Sequence, residues 1–134
     1  MKKTIFMDKY PVYTLEVQKN ETALKNVDAI LAYFKEKIDT HPIATFISLF
    51  DHYAHTTALE GEIIPEIKDA KNIVFCFGAA IPNTKILAVR PRSIAVAELE
   101  NSFMIEFIEA PKEKLHEVME GWSKGLVTKY QNIR

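Results

Sequence analysis

Apolar and polar residues alternate over residues 12–17. Tyr13, Leu15 and Val17 share one side; Thr14 and Glu16 share the other. A period of two is that of a half-buried strand. A shorter strand is predicted before it at 4–7, with Asp8-Lys9-Tyr10-Pro11 as the turn between them. After the polar stretch 18–22 the period lengthens. Leu24, Val27, Leu31, Phe34 and Ile38 recur at spacings of three and four, which predicts an amphipathic helix lying on a core. Asn26 is suited to cap it and Pro42 helps end it.

Residues 43–50 are nearly all apolar, with β-branched and aromatic side chains, and read as a central strand. Ile63, Ile64 and Ile67 suggest a short helix within 57–71, opening near Pro65. A second buried strand is predicted at 73–77 and is ended by Gly78. Residues 79–92 hold Pro82 and Pro91 and read as loop. Residues 94–99 and 103–108 form the clearest hairpin, turning at Glu100, Asn101 and Ser102. On its second arm Phe103, Ile105 and Phe107 face one way; Met104, Glu106 and Ile108 face the other. Pro111 opens a last helix with the stripe Leu115, Val118, Met119, Trp122 and Leu126. Gly121 and Gly125 weaken that helix by about 1 kcal/mol each, or permit close packing. The predicted order is β-β-α-β-(α)-β-β-β-α. That is an α+β single domain, with a mixed or mostly antiparallel sheet and two main helices.

Composition narrows the function. A length of 134 residues suits one domain, and 48% apolar content with eight Phe and five Tyr argues against disorder. A net charge of −1 argues against nucleic acid as a partner. One cysteine excludes an internal disulfide framework. No stretch reaches the ~20 apolar residues of a membrane span, and the start lacks the roughly 7–15 apolar residues of a secretory signal. A cytoplasmic protein is the expectation.

Three features could carry chemistry. Asp51-His52-Tyr53-Ala54-His55 follows a predicted strand, where strand ends often open onto a ligand crevice. His52 and His55 could bind one metal if the segment turns helical, with Asp51 as a third ligand or orienting an imidazole and His41 approaching. The plainer reading is that Asp51 caps the next turn and the histidines make structural hydrogen bonds. Cys76 sits within a predicted strand, where free cysteine is commonly a small buried hydrophobe; a nucleophile would need a partner histidine. Arg90-Pro91-Arg92 holds two guanidinium forks about a rigid proline, able to grip a carboxylate or phosphate, or to rest on a solvated loop. No cofactor motif emerges: Gly78-Ala79-Ala80-Ile81-Pro82 lacks dinucleotide or P-loop spacing, and no Ser-centred elbow is present.

Several of these pieces fall into a series: the helix 27–38; Phe46 to Phe50 followed by Asp51-His52; Leu59-x-Gly61; Ile73-x-Phe75-x-Phe77-Gly78 with Pro82 after it; Pro91 before Ile94-x-Val96; Phe103-x-Ile105; and Pro111. Over residues 27 to 111 this series resembles the small bacterial "domain of unknown function three-hundred-and-two" family. The resemblance implies a compact α/β domain that is often dimeric, with no established activity, and transfers only His52, with Asp51, as a site position. An added N-terminal strand pair, an added C-terminal helix and a longer Gly78–Pro82 turn suggest a separate family on a related fold.

Taken together, the sequence favours a small-ligand-binding or sensory domain. Its candidate residues are Asp51, His52, His55, Arg90 and Arg92, its ligand a small anion. It would act as a homodimer, since the strands and helices offer more apolar faces than one helix layer covers. A metal- or thiol-dependent enzyme using His52, His55 and Cys76 comes second, and a protein-interaction module third.

Overall fold

The structure is a computed structural model and describes residues 1–128. Six strands form one sheet in the order β1-β2-β6-β5-β4-β3, antiparallel at every pairing. They are β1 (Lys2–Phe6), β2 (Tyr10–Gln18), β3 (Ala44–Asp51), β4 (Asp69–Phe77), β5 (Arg92–Glu98) and β6 (Ser102–Ile108). The helices are α1 (Val27–Asp39), α2 (His52–Ala58) and α3 (Glu113–Lys124). The element order is the predicted one, and the fold is α+β.

Alternation sets the core. Tyr13, Leu15 and Val17 stand opposite Phe107, Ile105 and Phe103 in the β2–β6 register, so both predicted faces meet on one side of the sheet. Ile73, Phe75, Phe77, Ile94 and Val96 continue that side across β4 and β5. Val27, Ile30, Leu31, Phe34 and Ile38 of α1 cover it, with Met119, Trp122 and Leu126 from the α3 end of the chain. Trp122 stacks on Phe77 with ring centroids 5.5 Å apart. The opposite face carries Thr14, Met104, Glu106, Ala95, Asn72, Val74 and Cys76, all only half-buried.

Asn26 caps α1 as expected, its side chain accepting from the Ala29 N–H at 2.8 Å. The helix begins at Val27, so Leu24 packs on the core from the loop before it. In the β1–β2 turn Met7 and Asp8 take left-handed backbone (φ 54° and 59°), and Tyr10 and Pro11 already belong to β2. Gly125 follows α3 directly. A Cβ there would collide with the Tyr33 hydroxyl, which donates to the Trp122 carbonyl at 2.7 Å. Close packing is therefore what Gly125 permits.

Two expectations are corrected. The apolar run 43–50 forms an edge strand, not a central one: β3 bonds only to β4. A bulge between Phe46 and Ser48 turns Ile47 out, and Ile47, Leu49 and Phe50 are 50%, 50% and 41% exposed. The short helix also falls earlier than 63–67. Asp51 caps α2 by accepting from the Ala54 N–H at 2.8 Å, and residues 59–68 are irregular, with Ile63 and Ile67 half-buried. A local cap begins a helix at a defined place, whereas three spaced isoleucines only need to reach an apolar surface.

Candidate functional site

The strand register separates the candidate residues. Asp51 pairs with Lys71 at one end of β4, whereas Arg92 pairs with Phe75 and Ala44 with Phe77 toward the other. Lys71 and Phe75 are four residues apart, roughly 13 Å of strand at ~3.3 Å per residue. Cys76 pairs with Thr45, six residues from Asp51 and so roughly 20 Å along β3. The histidine turn therefore converges neither with the arginines nor with Cys76.

At the first end, His52 and His55 flank the Phe50 ring, with centroids 4.7 and 5.2 Å from it. Both are exposed. Asp51 is occupied as the α2 cap and lies 3.7 Å from the Lys71 ammonium. Lys71 bonds Asp28 at 2.7 Å, and that bond raises its pKa against the lowering effect of burial. Among the described residues no three His, Cys, Asp or Glu side chains gather into a metal-binding group. His41 lies at the other end, its ring 4.9 Å from Phe77 and 6.0 Å from Trp122.

That other end holds a cavity of about 210 Å³. Three connections wall it. Ile43 comes from the α1–β3 link; Gly78, Ile86, Val89 and Arg90 come from the β4–β5 link; Ala110, Pro111 and Lys112 come from the β6–α3 link. Phe77, Arg92 and Leu115 supply its floor from β4, β5 and α3. The lining is mostly apolar, and among the described residues its charged groups are all cationic.

Local backbone chemistry builds this arrangement. Gly78 has φ +114°, and a Cβ there would lie 2.5 Å from the Arg90 Nη2. Glycine thus allows both the turn out of β4 and the seating of the Arg90 guanidinium against it. Asn83 begins a short 3-10 turn (Thr84–Val89) by accepting from the Ile86 N–H at 3.0 Å, which brings Ile86 and Val89 to the wall. Arg92 stands where β5 and β6 part: their pairing begins only at Ala95 and Glu106, and the Arg92 Nη2 donates to the Ile108 carbonyl.

Arg92 is half-buried, its buried Nε has no hydrogen-bond partner among the described residues, and burial pushes its guanidinium below its ordinary pKa. Among the described residues neither Arg90, Arg92 nor Lys112 forms an ion pair. The nearest carboxylates in sequence are engaged or turned elsewhere. Glu109 accepts from Lys3 and from the Tyr13 hydroxyl, each at 3.1 Å, and Glu113 lines the separate surface around His116. Lys112, the residue at the N-terminal cap of α3, makes no side-chain capping bond.

The motifs of the sequence do not single out His116. Its Nδ1 accepts the Ala110 N–H at 3.1 Å, which places the ring proton on Nε2, 2.8 Å from Glu120 Oε1. It thereby ties the cavity's Ala110 wall to α3. The signal was available: His116 lies three residues before Met119 and shares its apolar stripe.

A family model described as a family of unknown function (DUF6858) matches residues 1–128. No curated protein matches the chain. A solved structure, an uncharacterized conserved protein DUF302 from Bacillus stearothermophilus, is similar in fold with a TM-score of 0.55. The two are 12% identical over 86% of this chain and 91% of that one. The expected relation, a separate family on a related fold, is what these matches show.

Proposed function

The chain belongs to the DUF6858 family of unknown function, and from that premise we propose that it is a small-ligand-binding domain whose site is the Arg90–Arg92 cavity rather than the Asp51-His52 turn. One observation carries the reading: a mostly apolar hollow walled by three connections at one end of the sheet. Binding sites for small molecules are concave and apolar, with a few polar groups that fix orientation. Its volume of about 210 Å³ falls below the roughly 300–1,000 Å³ of drug-sized sites, which favours a ligand of few heavy atoms.

Trp122 gives the test a clean reporter, because it is the only tryptophan and stacks on the cavity residue Phe77. Titration with 1-octanol and with octanoate should change its emission for at least one of them. Ala80→Phe, which fills the wall, should remove the response. A wild-type protein whose emission and melting temperature ignore both compounds overturns the reading.

A second reading concerns assembly. All five residues of β1 are exposed and its outer edge pairs with no strand among the described residues. A second copy suits that edge. Antiparallel self-pairing about Thr4 sets Lys3 opposite Ile5 and Lys2 opposite Phe6, so that no lysine faces another. A homodimer built this way extends the sheet across a two-fold axis.

A further inference from the structure

Resting on the reading of the cavity as a ligand site, we propose that its ligand is an amphipathic monoanion: a carboxylate head beside Arg92 and Arg90, with a short apolar body against Ile43, Phe77, Ile86 and Leu115. The walls alone specify only something apolar. The charge is specified by what is missing around the arginines.

A guanidinium withdrawn from water is costly unless an anion or a full set of acceptors replaces the water. Arg92 has one backbone acceptor, the Ile108 carbonyl, and an unused buried Nε–H. No carboxylate of the chain approaches within ion-pair distance of it, among the described residues. Arg90 is likewise unpaired and half-buried, with its guanidinium laid on Gly78. Lys112 adds a third cation at the rim, where α3 presents the positive end of its dipole. Three cations around one apolar hollow, none of them neutralised by a described residue, describe a site completed by an anion from outside.

The head and the body follow from the same facts. Planar guanidinium forks match a carboxylate in two-point contact. A phosphate monoester would bring nearly two charges and a larger hydration shell into a small, mostly apolar space. An inorganic anion would satisfy the arginines and leave the apolar walls without a partner.

The experiment compares octanoate, 1-octanol, acetate and octyl phosphate on the whole chain by Trp122 emission and calorimetry. Wild type should bind octanoate about ten-fold or more tightly than 1-octanol, the difference that one charge-assisted hydrogen bond supplies. Acetate should bind far more weakly, for want of a body. Arg90→Met should bring the octanoate-to-octanol ratio toward one while 1-octanol still binds; Arg92→Met should do the same if it folds, and Arg90→Met keeps the test decisive if it does not. Equal wild-type affinities for octanoate and 1-octanol overturn the anion and leave the cavity reading standing. Tighter binding of octyl phosphate than of octanoate overturns the carboxylate. An unchanged ratio in Arg90→Met overturns the role of the arginines. Binding of none of the four overturns both this inference and the reading it rests on.

Discussion

Gly78 and Arg90 occupy one another's space. Any side chain at residue 78 takes up the place of the guanidinium and must also adopt φ +114°, a conformation that only glycine enters freely. Gly78→Ala should therefore cost about 1–3 kcal/mol in urea unfolding. The same variant displaces Arg90, so its preference for octanoate over 1-octanol should shrink even where the protein remains folded. A loss of stability with the preference intact would assign Gly78 to the backbone turn alone. His116 is a second residue whose effect is local and measurable. Removing its ring strands the Ala110 N–H in a buried place and leaves Glu120 with Lys124, 3.4 Å from its other carboxylate oxygen. His116→Ala should destabilise by about 1–3 kcal/mol, the range for an unsatisfied buried group, and should loosen the Ala110–Lys112 wall. Hydrogen exchange at Ala110 checks it: protection equal to wild type would separate the histidine from that wall.

At the level of elements, β3 shows where sequence patterning and structure part. An unbroken apolar run usually means burial on both faces, yet β3 lies at the edge and a bulge turns Ile47 outward. Its residues are worth unequal amounts as a result. Phe75→Ala on β4 removes a fully buried ring and should cost about 3–5 kcal/mol. Leu49→Ser on β3, half exposed already, should cost well under that, about 1 kcal/mol. Similar losses for both would return β3 to the core. The alternation of β2 and β6 was legible because each strand faces helices on one side only, and so was the cap of α1 at Asn26. The cavity was not legible, because its walls come from three links far apart in the chain, and only Arg90-Pro91-Arg92 advertised it. The Asp51-His52 turn was conspicuous because its polar groups are contiguous, and Asp51 turns out to be committed to the α2 cap. Between elements, Lys3 and Glu109 join β1 to the β6–α3 link. Hydrogen bonds from Lys3 and Tyr13 hold the Glu109 carboxyl below its usual range. For Glu120, burial acts upward, but bonds from His116 and Lys124 outweigh it and the net shift is downward. A depressed carboxylate stabilises the fold above its unfolded pKa and loses that contribution as pH falls through its folded one. Urea midpoints should therefore decline as pH drops below about 4.3, the ordinary glutamate value, and the decline should be shallower in Glu109→Gln. Lys3 acts with the opposite sign: its raised value keeps its contribution whole at neutral pH and loses it only in strong alkali.

For the molecule as a whole, strand order could not be read from local pattern, since β2 joins β6 across most of the chain's length. Among the described residues the result is a sheet with two open edges and one face without a long helix. The edges differ. The bulge in β3 disrupts a regular ladder of donors and acceptors, which is how natural edges resist pairing. The register of β1 with β2 is unbroken from Lys2 to Phe6, leaving a straight outer ladder beside Ile5, Phe6 and Met7, all more than half exposed. Lysines on an edge also discourage pairing, so Lys2 and Lys3 weigh against association unless the register keeps them apart, as self-pairing about Thr4 does. The two effects make different predictions for single changes. If the sheet continues into a second copy, light scattering gives the mass of two chains, and Thr4→Lys, which sets lysine against lysine on the two-fold axis, returns the mass of one. Lys3→Thr should then leave the dimer intact or tighten it. If the lysines instead guard the edge, wild type has the mass of one chain and Lys3→Thr raises it. A monomeric wild type therefore removes the β1 dimer while leaving the cavity untouched, because none of the cavity's walls comes from β1.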